Sequence, residues 1–245
     1  MEKVFGLIGS AVSHSFSKQY FDEKFFREGL RDHRYELFQL HHISELEQLV
    51  KDTKGLAGLN VTLPYKEQVI PYLDELSPDS KKIGAVNVIK FKDGRRYGYN
   101  TDADAFHETL DRWLPDKTGI TALILGTGGS SKAVQEALNR LNLPFHLVSR
   151  NKEKGQYTYQ DLNAQVIKEH RLIINTTPLG MHPDTETYPP IPYEHITKHH
   201  WVYDLIYNPA RTLFLQKAEM RDAHIKNGLE MLYLQAEKSW NIWNR

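Results

Sequence analysis

Short apolar runs alternate with longer amphipathic stretches along the chain. Residues 4–9 (VFGLIG) form a continuous apolar run typical of a buried strand, and residues 17–29 repeat apolar positions at helical spacing. The same alternation recurs at 35–40 and 43–52. Strands that alternate with helices are typical of parallel sheets built from β–α–β units. The pattern therefore predicts an α/β fold.

Local signals refine this pattern at three places. Two strand-like runs within 86–100 flank Asp93-Gly94, a dipeptide typical of tight hairpin turns. Ser44, with Glu47 three residues later, predicts a capping box for the helix over 43–52. A final helix, predicted over 229–243, is apolar enough to pack on more than its immediate neighbours.

A second series of strands and helices begins at Ile120, after a polar connector at 113–119. Its strands are predicted over 121–126, 144–150, 171–177 and 201–207. Because the alternation restarts after a polar segment, the chain is predicted to form two α/β domains with a boundary near 102–118.

Composition narrows the classes of function. Lys plus Arg and Asp plus Glu number 31 each among 245 residues, so no overall positive field favours nucleic acid. The chain has no cysteine, which excludes disulfides, thiolate metal sites and a cysteine nucleophile. No run approaches the ~18 apolar residues of a membrane span, and the N-terminal apolar run is short for a secretion signal. We expect a cytoplasmic protein without nucleic-acid or membrane partners.

Residues 123–133 (LILGTGGSSKA) place a glycine cluster between an apolar strand and a helix. Gly126 allows a tight turn, and Gly128 lets the backbone approach a pyrophosphate at the helix N-terminus. Ser131 stands where the third glycine of the usual dinucleotide pattern falls. Glycine turns are common, so this loop alone does not separate a dinucleotide site from an ordinary turn.

The end of the next strand bears on the choice of cofactor. A site for NAD usually carries an acidic residue about 20 residues after the glycine loop, where it bonds the ribose 2′-hydroxyl. Here the strand ends in Ser149, Arg150 and Asn151, with no carboxylate. A guanidinium suits a doubly charged phosphate, so these residues favour NADP over NAD.

The stretch NVTLPYK at 60–66 ends a predicted strand with three polar groups. Asn60 and Thr62 are two residues apart, so both side chains point to the same side of an extended backbone. Lys66 follows closely, after Pro64. For such a lysine taken alone, a solvated strand end is the more common explanation, and the rest of the chain must decide between the two.

Together, the motifs of the chain resemble those of the shikimate dehydrogenases from Gly9 to Gln235. The resemblance rests on the order and spacing of SHSFS (13–17), NVTLPYK (60–66), GAVN (84–87), NTD (100–102), LGTGG (125–129), SRN (149–151), NTTPLGM (175–181), YDLIYNP (203–209) and NGLEMLYLQA (227–236). It implies an NADPH-dependent, reversible reduction of 3-dehydroshikimate to shikimate, a step of aromatic amino-acid biosynthesis. It also implies a substrate domain over 1–102, completed by 229–245, and a Rossmann-like NADP-binding domain over 103–228.

The resemblance assigns roles to individual positions. Lys66 and Asp102 match the catalytic pair. The substrate-binding positions are Ser15, Ser17, Asn60, Thr62, Asn87, Tyr207 and Gln235. The cofactor-binding positions are Gly126, Gly128, Gly129, Ser149, Arg150, Asn151, Thr177, Leu205 and Gly228. No metal is implied, the expected ligand besides NADP is a small-molecule substrate, and the protein is expected to be a monomer or a homodimer.

The roles of Lys66 and Asp102 agree with the chemistry of ketone reduction. Hydride transfer builds negative charge on the carbonyl oxygen, and a positioned ammonium stabilises that charge and then supplies the proton. Asp102 orients the ammonium and can bond a ring hydroxyl. The resemblance therefore favours a functional role for Lys66, as the acid and base of the reaction, over a solvated strand end.

The sequence departs from the family pattern at several positions near these motifs. The family motif NTDG ends in Ala103, GAVNT ends in Val88, and GLGM contains Glu230, which we expect to add bulk and charge near the ligands. Leu179 and Met181 follow the Thr-Pro pair where many members have two serines. We expect these changes to affect substrate fit rather than the class of reaction.

Structural roles compete with the functional ones at several of these positions. Asp102, Ser15 and Ser17 are also good helix caps, and Tyr207 could belong to a core. The pairs His41-His42 and His199-His200 lack ligand-spaced partners and are interpreted as surface residues.

Two other functions stay open at this stage. Quinate dehydrogenases often prefer NAD, which Ser149-Arg150 disfavours. A non-catalytic ligand sensor would not need both Lys66 and Asp102.

Overall fold

The chain folds into two compact α/β units, here in a computed structural model that describes residues 2–13 and 15–245. The first unit comprises Met1–Thr101 and Ala236–Arg245, and the second comprises Asp102–Gln235. His14 of the SHSFS motif lies outside the described residues. Each unit has its own sheet and its own core.

The first unit is built on a six-stranded mixed sheet with the order β2-β1-β3-β5-β6-β4. Its strands are β1 (Lys3–Gly9), β2 (His33–Gln39), β3 (Leu56–Val61), β4 (Glu75–Leu76), β5 (Val88–Lys92) and β6 (Arg95–Tyr99). Its helices are α1 (Phe16–Glu28), α2 (Leu46–Asp52), α3 (Tyr65–Gln68) and α4 (Pro78–Ile83). β1, β2 and β3 are parallel, whereas β5 is antiparallel to both β3 and β6.

The predicted hairpin is confirmed, and it explains why this sheet is mixed. β5 and β6 pair from Lys92 with Arg95 onward, and the turn residues Asp93 and Gly94 have positive φ angles of 52° and 74°. Such angles are those that a tight hairpin turn requires. The hairpin therefore reverses the chain at the point where a β–α–β crossover would have kept it parallel.

The predicted capping box at Ser44 is wrong. The N-cap is His42, two residues before Ser44, and the Glu45 carboxylate accepts a hydrogen bond from the backbone N–H of His42 at 3.0 Å. Glu47 pairs instead with the guanidinium of Arg96. An ion pair with a residue 49 positions away overrides the local capping pattern.

Apolar side chains cover both faces of the first sheet. On one face Phe5, Phe21 and Phe25 pack with Trp243, whose indole N–H donates to the carbonyl of Ile89 at 3.0 Å. On the other face, a cluster that includes Ile8, Leu59 and Val61 packs with residues of α2 and α3. Burial on both faces is the physical reason that the strands appear as continuous apolar runs.

The second unit is doubly wound around a five-stranded parallel sheet with the order β11-β10-β9-β7-β8. Its strands are β7 (Ala122–Leu125), β8 (Phe145–Val148), β9 (Leu172–Asn175), β10 (Trp201–Asp204) and β11 (His224–Lys226). Its helices are α5 (Asp102–Trp113), α6 (Gly129–Arg140), α7 (Ala164–Glu169) and α8 (Leu213–Glu219). The last helix, α9 (Leu229–Trp243), begins in this unit and continues into the segment that belongs to the first.

Alternate residues of β7 face two apolar clusters, one on each face of the sheet. Ala122 and Ile124 pack among residues of α5 and α6, whereas Leu123 and Leu125 pack among residues of α7 and α8. Helices therefore cover both faces of the sheet, as the predicted alternation of strands and helices requires.

Candidate active site

The glycine loop follows the strand at which the order of the second sheet reverses. β7 pairs in parallel with β8 on one side and with β9 on the other. In doubly wound sheets, ligands bind beyond the carboxyl ends of the strands at such a switch point. The loop at 126–129 begins there, directly after Leu125.

The backbone of this loop requires glycine and presents a helix N-terminus. Gly126 has a φ of 108°, and a Cβ there would lie 2.8 Å from the Thr176 hydroxyl oxygen. Gly128 is the N-cap of α6, and no side chain caps the helix or places an acid in its first turn. A Cβ on Gly128 would meet no atom within 4 Å, so the space over this helix end is open. An uncapped N-terminus with open space above it suits an anionic phosphate group.

Beyond β8, three residues provide donors and no carboxylate. Arg150 is exposed. Burial raises the pKa of the Tyr159 phenol, and the positive charge of Arg150 offsets part of that rise, which places Arg150 near the ring. Ser149 is buried, and its Oγ accepts from the Asn151 backbone N–H at 3.1 Å. The Asn151 Oδ1 accepts from the backbone N–H of Glu153 at 3.0 Å. Neither contact uses the hydroxyl hydrogen of Ser149 or the amide hydrogens of Asn151, which are donors of the kind that a phosphate binds.

The structure brings together Thr177, Leu205 and Gly228, which are far apart in sequence. The Oδ1 of Asn175 accepts from the Thr177 backbone N–H at 3.0 Å and from its hydroxyl at 2.7 Å. The backbone carbonyl of Asn175 accepts from the Leu205 N–H at 3.1 Å. Gly228 packs so closely on Leu205 that a Cβ would overlap the Leu205 carbonyl oxygen. These three residues therefore form one cluster at the carboxyl ends of β9 and β10.

In the first unit, a buried polar cluster contains two of the residues expected to bind substrate. The Asn60 Oδ1 accepts from the Tyr35 hydroxyl at 2.8 Å, and its Nδ2 donates to the Ser239 Oγ at 3.0 Å. The Asn87 Oδ1 accepts from the Thr101 backbone N–H at 2.7 Å, and its Nδ2 donates to the Thr101 Oγ1 at 2.9 Å. Both amides are thus held in single orientations by groups within the unit.

The other expected residues of the first unit lie on two short segments. Lys66 is half-buried in α3, and its backbone carbonyl accepts from the Val86 N–H at 2.7 Å. Thr62 is half-buried between β3 and α3. Ser15 caps α1, and its hydroxyl accepts from the Ser17 backbone N–H at 3.2 Å, so its expected structural role is present.

The remaining expected residues belong to the second unit. Asp102 is buried as the first residue of α5, so it lies inside the helix rather than at the cap position. Tyr207 is half-buried after β10 and outside the core clusters. Gln235 is half-buried on α9, and its Nε2 donates to the carbonyl of Leu232 at 3.0 Å.

The residues that depart from the family pattern are held by contacts within the structure. The Glu230 carboxylate accepts from Arg112 at 3.0 Å and from Lys226 at 2.5 Å, so two cations balance its charge. Val88 and Ala103 are both buried, and Val88 packs in the core with α1 and α9. The expected surface position of His200 is wrong: the residue is 3% exposed, and its Nε2 lies 3.0 Å from the Ile167 carbonyl, a long-range contact that sequence spacing does not reveal.

Sequence reasoning missed the residues that hold the expected ones in place. These are Tyr35, Thr101 and Ser239 around the two amides of the first unit, and Asn175 and Asp204 in the second. Thr101, Asn175 and Asp204 lie inside quoted motifs, so attention to every polar residue of a motif would have found them. Tyr35 and Ser239 have no local signal, because their partners come from distant segments.

Within the described ranges 2–13 and 15–245, two negative findings complete the site. No helix there is long and apolar enough to cross a bilayer. No group of three or more His, Cys, Asp or Glu side chains in this part of the chain is placed to hold a metal ion.

The fold and site define a two-unit α/β protein with a Rossmann-like second unit. Residues 7–89 match the model of the shikimate dehydrogenase substrate binding domain. A shikimate dehydrogenase (NADP(+)) of Methanococcus maripaludis is 38% identical, with 98% of this chain and 91% of that protein aligned. The chain belongs to the shikimate dehydrogenase family.

Solved structures of the family have the same fold. Shikimate dehydrogenase from Aquifex aeolicus superposes with a TM-score of 0.88 at 34% identity, covering 99% of this chain and 92% of that one. The Thermus thermophilus enzyme, solved in complex with NADP(H) and shikimate, gives a TM-score of 0.84 at 30% identity, covering 98% of this chain and 93% of that one.

Proposed function

We propose that this protein is an NADP-dependent shikimate dehydrogenase that reversibly reduces 3-dehydroshikimate to shikimate for aromatic amino-acid biosynthesis. The observation that carries the proposal is the family relationship over nearly the full length of the chain. We assign most of the substrate-binding residues to the first unit, which contains the matched substrate-binding segment, and NADP binding to the second. The enzyme is proposed to act in the cytoplasm, as a monomer or a homodimer.

The residues present fit the proposed cofactor. The uncapped N-terminus of α6 would hold the pyrophosphate, and Arg150 with Ser149 and Asn151 would hold the 2′-phosphate. The cluster of Thr177, Leu205 and Gly228 would line the ribose and nicotinamide. When bound, the nicotinamide supplies the hydride of the reaction.

The chain's own residues would position the substrate and move the proton. Ser15, Ser17 and Tyr207 are proposed to bind the substrate carboxylate. The ring hydroxyls are assigned to Asn60, Thr62, Asn87 and Gln235. Because Asn60 and Asn87 are already held by hydrogen bonds, they would offer preorganised polar groups rather than flexible ones.

We assign Lys66 and Asp102 as the catalytic pair. As hydride reaches the carbonyl carbon, charge develops on its oxygen, and the Lys66 ammonium would stabilise that charge and donate the proton. In the reverse direction, the neutral Lys66 amine would take the proton from the shikimate hydroxyl. Asp102 would supply the carboxylate of this catalytic pair.

A four-way assay tests this proposal. Oxidation of shikimate and of quinate is followed by NADPH or NADH absorbance, each with NADP and with NAD. We expect kcat/KM for shikimate with NADP to exceed that with NAD by at least about tenfold, because one charge-assisted phosphate contact contributes that much. With NADP, we expect kcat/KM for shikimate to exceed that for quinate. Equal or better efficiency with quinate or NAD would overturn the assignment, and shikimate binding without turnover would indicate a sensor.

A further inference from the structure

Asp204, the last residue of β10, is a completely buried acid that holds three segments together. Its Oδ1 accepts from the Asn175 Nδ2 at 3.0 Å and from the Ile206 backbone N–H at 3.1 Å. Its Oδ2 accepts from the Thr212 hydroxyl at 2.6 Å. These donors lie at the end of β9, after β10 and at the N-cap of α8, so one carboxyl group joins three segments.

Through Asn175, this carboxyl group determines how Thr177 is presented. Asn175 is itself fully buried, and an amide can exchange its oxygen and nitrogen by rotation. The Asp204 Oδ1 accepts from the Asn175 Nδ2, and the Asn175 Oδ1 accordingly faces the Thr177 backbone N–H and hydroxyl. The Thr177 hydroxyl hydrogen is thereby directed to Asn175, and its oxygen accepts from the Leu179 backbone N–H at 3.3 Å with one lone pair remaining.

Through Ile206, the same carboxyl group holds the other two members of the cluster. The Ile206 N–H donates to Asp204, while its carbonyl accepts from the Gly228 N–H at 3.0 Å. Leu205 lies between Asp204 and Ile206, and its N–H donates to the Asn175 carbonyl. Asn175 therefore bonds Thr177 and Leu205, and Ile206 bonds Gly228. Both Asn175 and Ile206 in turn bond Asp204.

Stability alone does not account for an acid at this position. Burial raises the pKa of Asp204 to about 7, which means that the folded protein disfavours its charge. Thr212 caps α8 through its own contact with the Leu215 N–H at 3.3 Å, so the helix cap does not depend on the acid. Burial of a carboxyl group costs free energy, and three donors can be satisfied without one. The position of Asp204 beside the cluster of Thr177, Leu205 and Gly228 points to another role.

We propose that Asp204 is a positioning residue for the nicotinamide end of the cofactor, acting through Asn175 on Thr177 and through Ile206 on Leu205 and Gly228. The inference rests on the proposed function, because it concerns the cofactor that this function requires. Asp204 sets the orientation of the groups that line the site and takes no part in hydride or proton transfer.

Two substitutions and one matched control test the role. Asp204→Ala removes both links and is expected to raise the Kd for NADPH, measured by fluorescence titration, at least about tenfold. Asp204→Asn keeps an oxygen opposite Asn175 and Ile206 and is expected to restore the Kd to within about threefold of wild type. Thr212→Val, the control, removes a partner of the same carboxyl on the α8 side and is expected to lower Tm without changing the NADPH Kd.

A double-mutant cycle separates positioning from general loss of structure. Asp204→Ala and Thr177→Val are each expected to raise the NADPH Kd. The product of the two factors should exceed the factor by which the double variant raises the Kd, because both substitutions break the same series of hydrogen bonds. The shikimate KM at saturating NADP should change less than about threefold. If Asp204→Ala does not fold, Asn175→Ala cuts the link while leaving Asp204 bonded to Ile206 and Thr212, and must raise the Kd by at least about tenfold.

The outcomes distinguish this inference from the proposed function. A wild-type protein that does not bind NADPH overturns the proposed function itself. A wild-type protein that binds NADPH while Asp204→Ala and Thr212→Val raise the Kd equally overturns only the positioning role. An unchanged Kd in Asn175→Ala, or a multiplicative double-mutant cycle, also overturns it.

Discussion

Single side chains with proposed catalytic or binding roles are held by contacts to their backbone or to their polar atoms. The backbone of Lys66 is fixed by the Val86 N–H, whereas Asn60 and Asn87 are fixed through their side-chain amides. Arg150 differs, because it is exposed at the end of a strand. These differences give each proposed residue a different expected response to substitution.

Replacement of Lys66 by alanine removes the proposed proton donor without disturbing its backbone contact. We expect kcat for shikimate oxidation to fall by a factor on the order of 10² to 10⁴, with a much smaller change in shikimate Kd. Steady-state kinetics and isothermal titration measure the two effects. Lys51→Ala, on the exposed end of α2, is the control and should behave as wild type. A Lys66→Ala enzyme with more than half of wild-type turnover would exclude this role.

Replacement of Arg150 by alanine tests the cofactor preference. One charge-assisted contact contributes ~1.5–3 kcal/mol, so KM for NADP should rise roughly ten- to a few-hundredfold while KM for NAD stays nearly constant. Lys152→Ala removes a nearby exposed cation and should change neither KM by more than about threefold. Parallel increases for NADP and NAD in Arg150→Ala would mean that the arginine does not recognise the 2′-phosphate.

At the scale of elements, β8 is an edge strand that is tied to α7 by two histidines. The His170 Nδ1 lies 2.6 Å from the Val166 carbonyl, which can only accept, so this nitrogen carries hydrogen. The neutral His170 Nε2 then accepts from the His146 Nδ1 at 2.7 Å. Burial and, to a smaller extent, the charge of His146 lower the pKa of His170, while the Val166 carbonyl and Glu169 raise it.

This arrangement gives a pH dependence of known sign. Because the folded pKa of His170 lies below that of the unfolded chain, its contribution to stability is present above pH ~6.5 and is lost as pH falls. Relative to His170→Gln, the wild type should lose up to about 1 kcal/mol of unfolding free energy between pH 7.5 and 5.5. Urea unfolding at both pH values measures this difference, and exposed His199→Gln is the control. Identical pH slopes in wild type and His170→Gln would contradict it.

At the scale of the molecule, each unit has its own sheet and apolar clusters, so unfolding need not be a single transition. Helix α9 is shared in sequence: its C-terminal part carries Ser239 and Trp243 into the polar cluster and core of the first unit. A measurement of stability should therefore follow a signal from the unit that contains the substituted residue.

The buried Asp204 predicts a pH dependence for the second unit of opposite sign to that of His170. Its folded pKa of about 7 exceeds the ordinary aspartate value of 3.8, so stability is greatest below pH ~4 and falls as pH rises to about 7. The free energy of unfolding of the wild type, minus that of Asp204→Asn, should fall by on the order of 1 kcal/mol per pH unit over this range. Unfolding followed by amide exchange within β9 and β10 measures it. Equal slopes in both proteins would show that the carboxyl is charged throughout this range.

The sequence predicted much of the fold because local patterns coincide with the final elements. The hairpin turn, the glycine loop and the helix over 229–243 all appear where composition and spacing place them. The capping box at Ser44 failed because a distant arginine bound Glu47. His200 was misplaced for a related reason, since its burial depends on a carbonyl 33 residues away.

The sequence by itself determined the α/β class, the family and the absence of an acid after the glycine loop, because these are properties of local order and residue type. Only the tertiary structure decided which groups hold the expected site residues. Tyr35 and Ser239 meet Asn60, and Asp204 joins Asn175, Ile206 and Thr212, through contacts between segments that are distant in the chain. A buried polar group must find partners wherever the fold places them, and no local pattern encodes that choice.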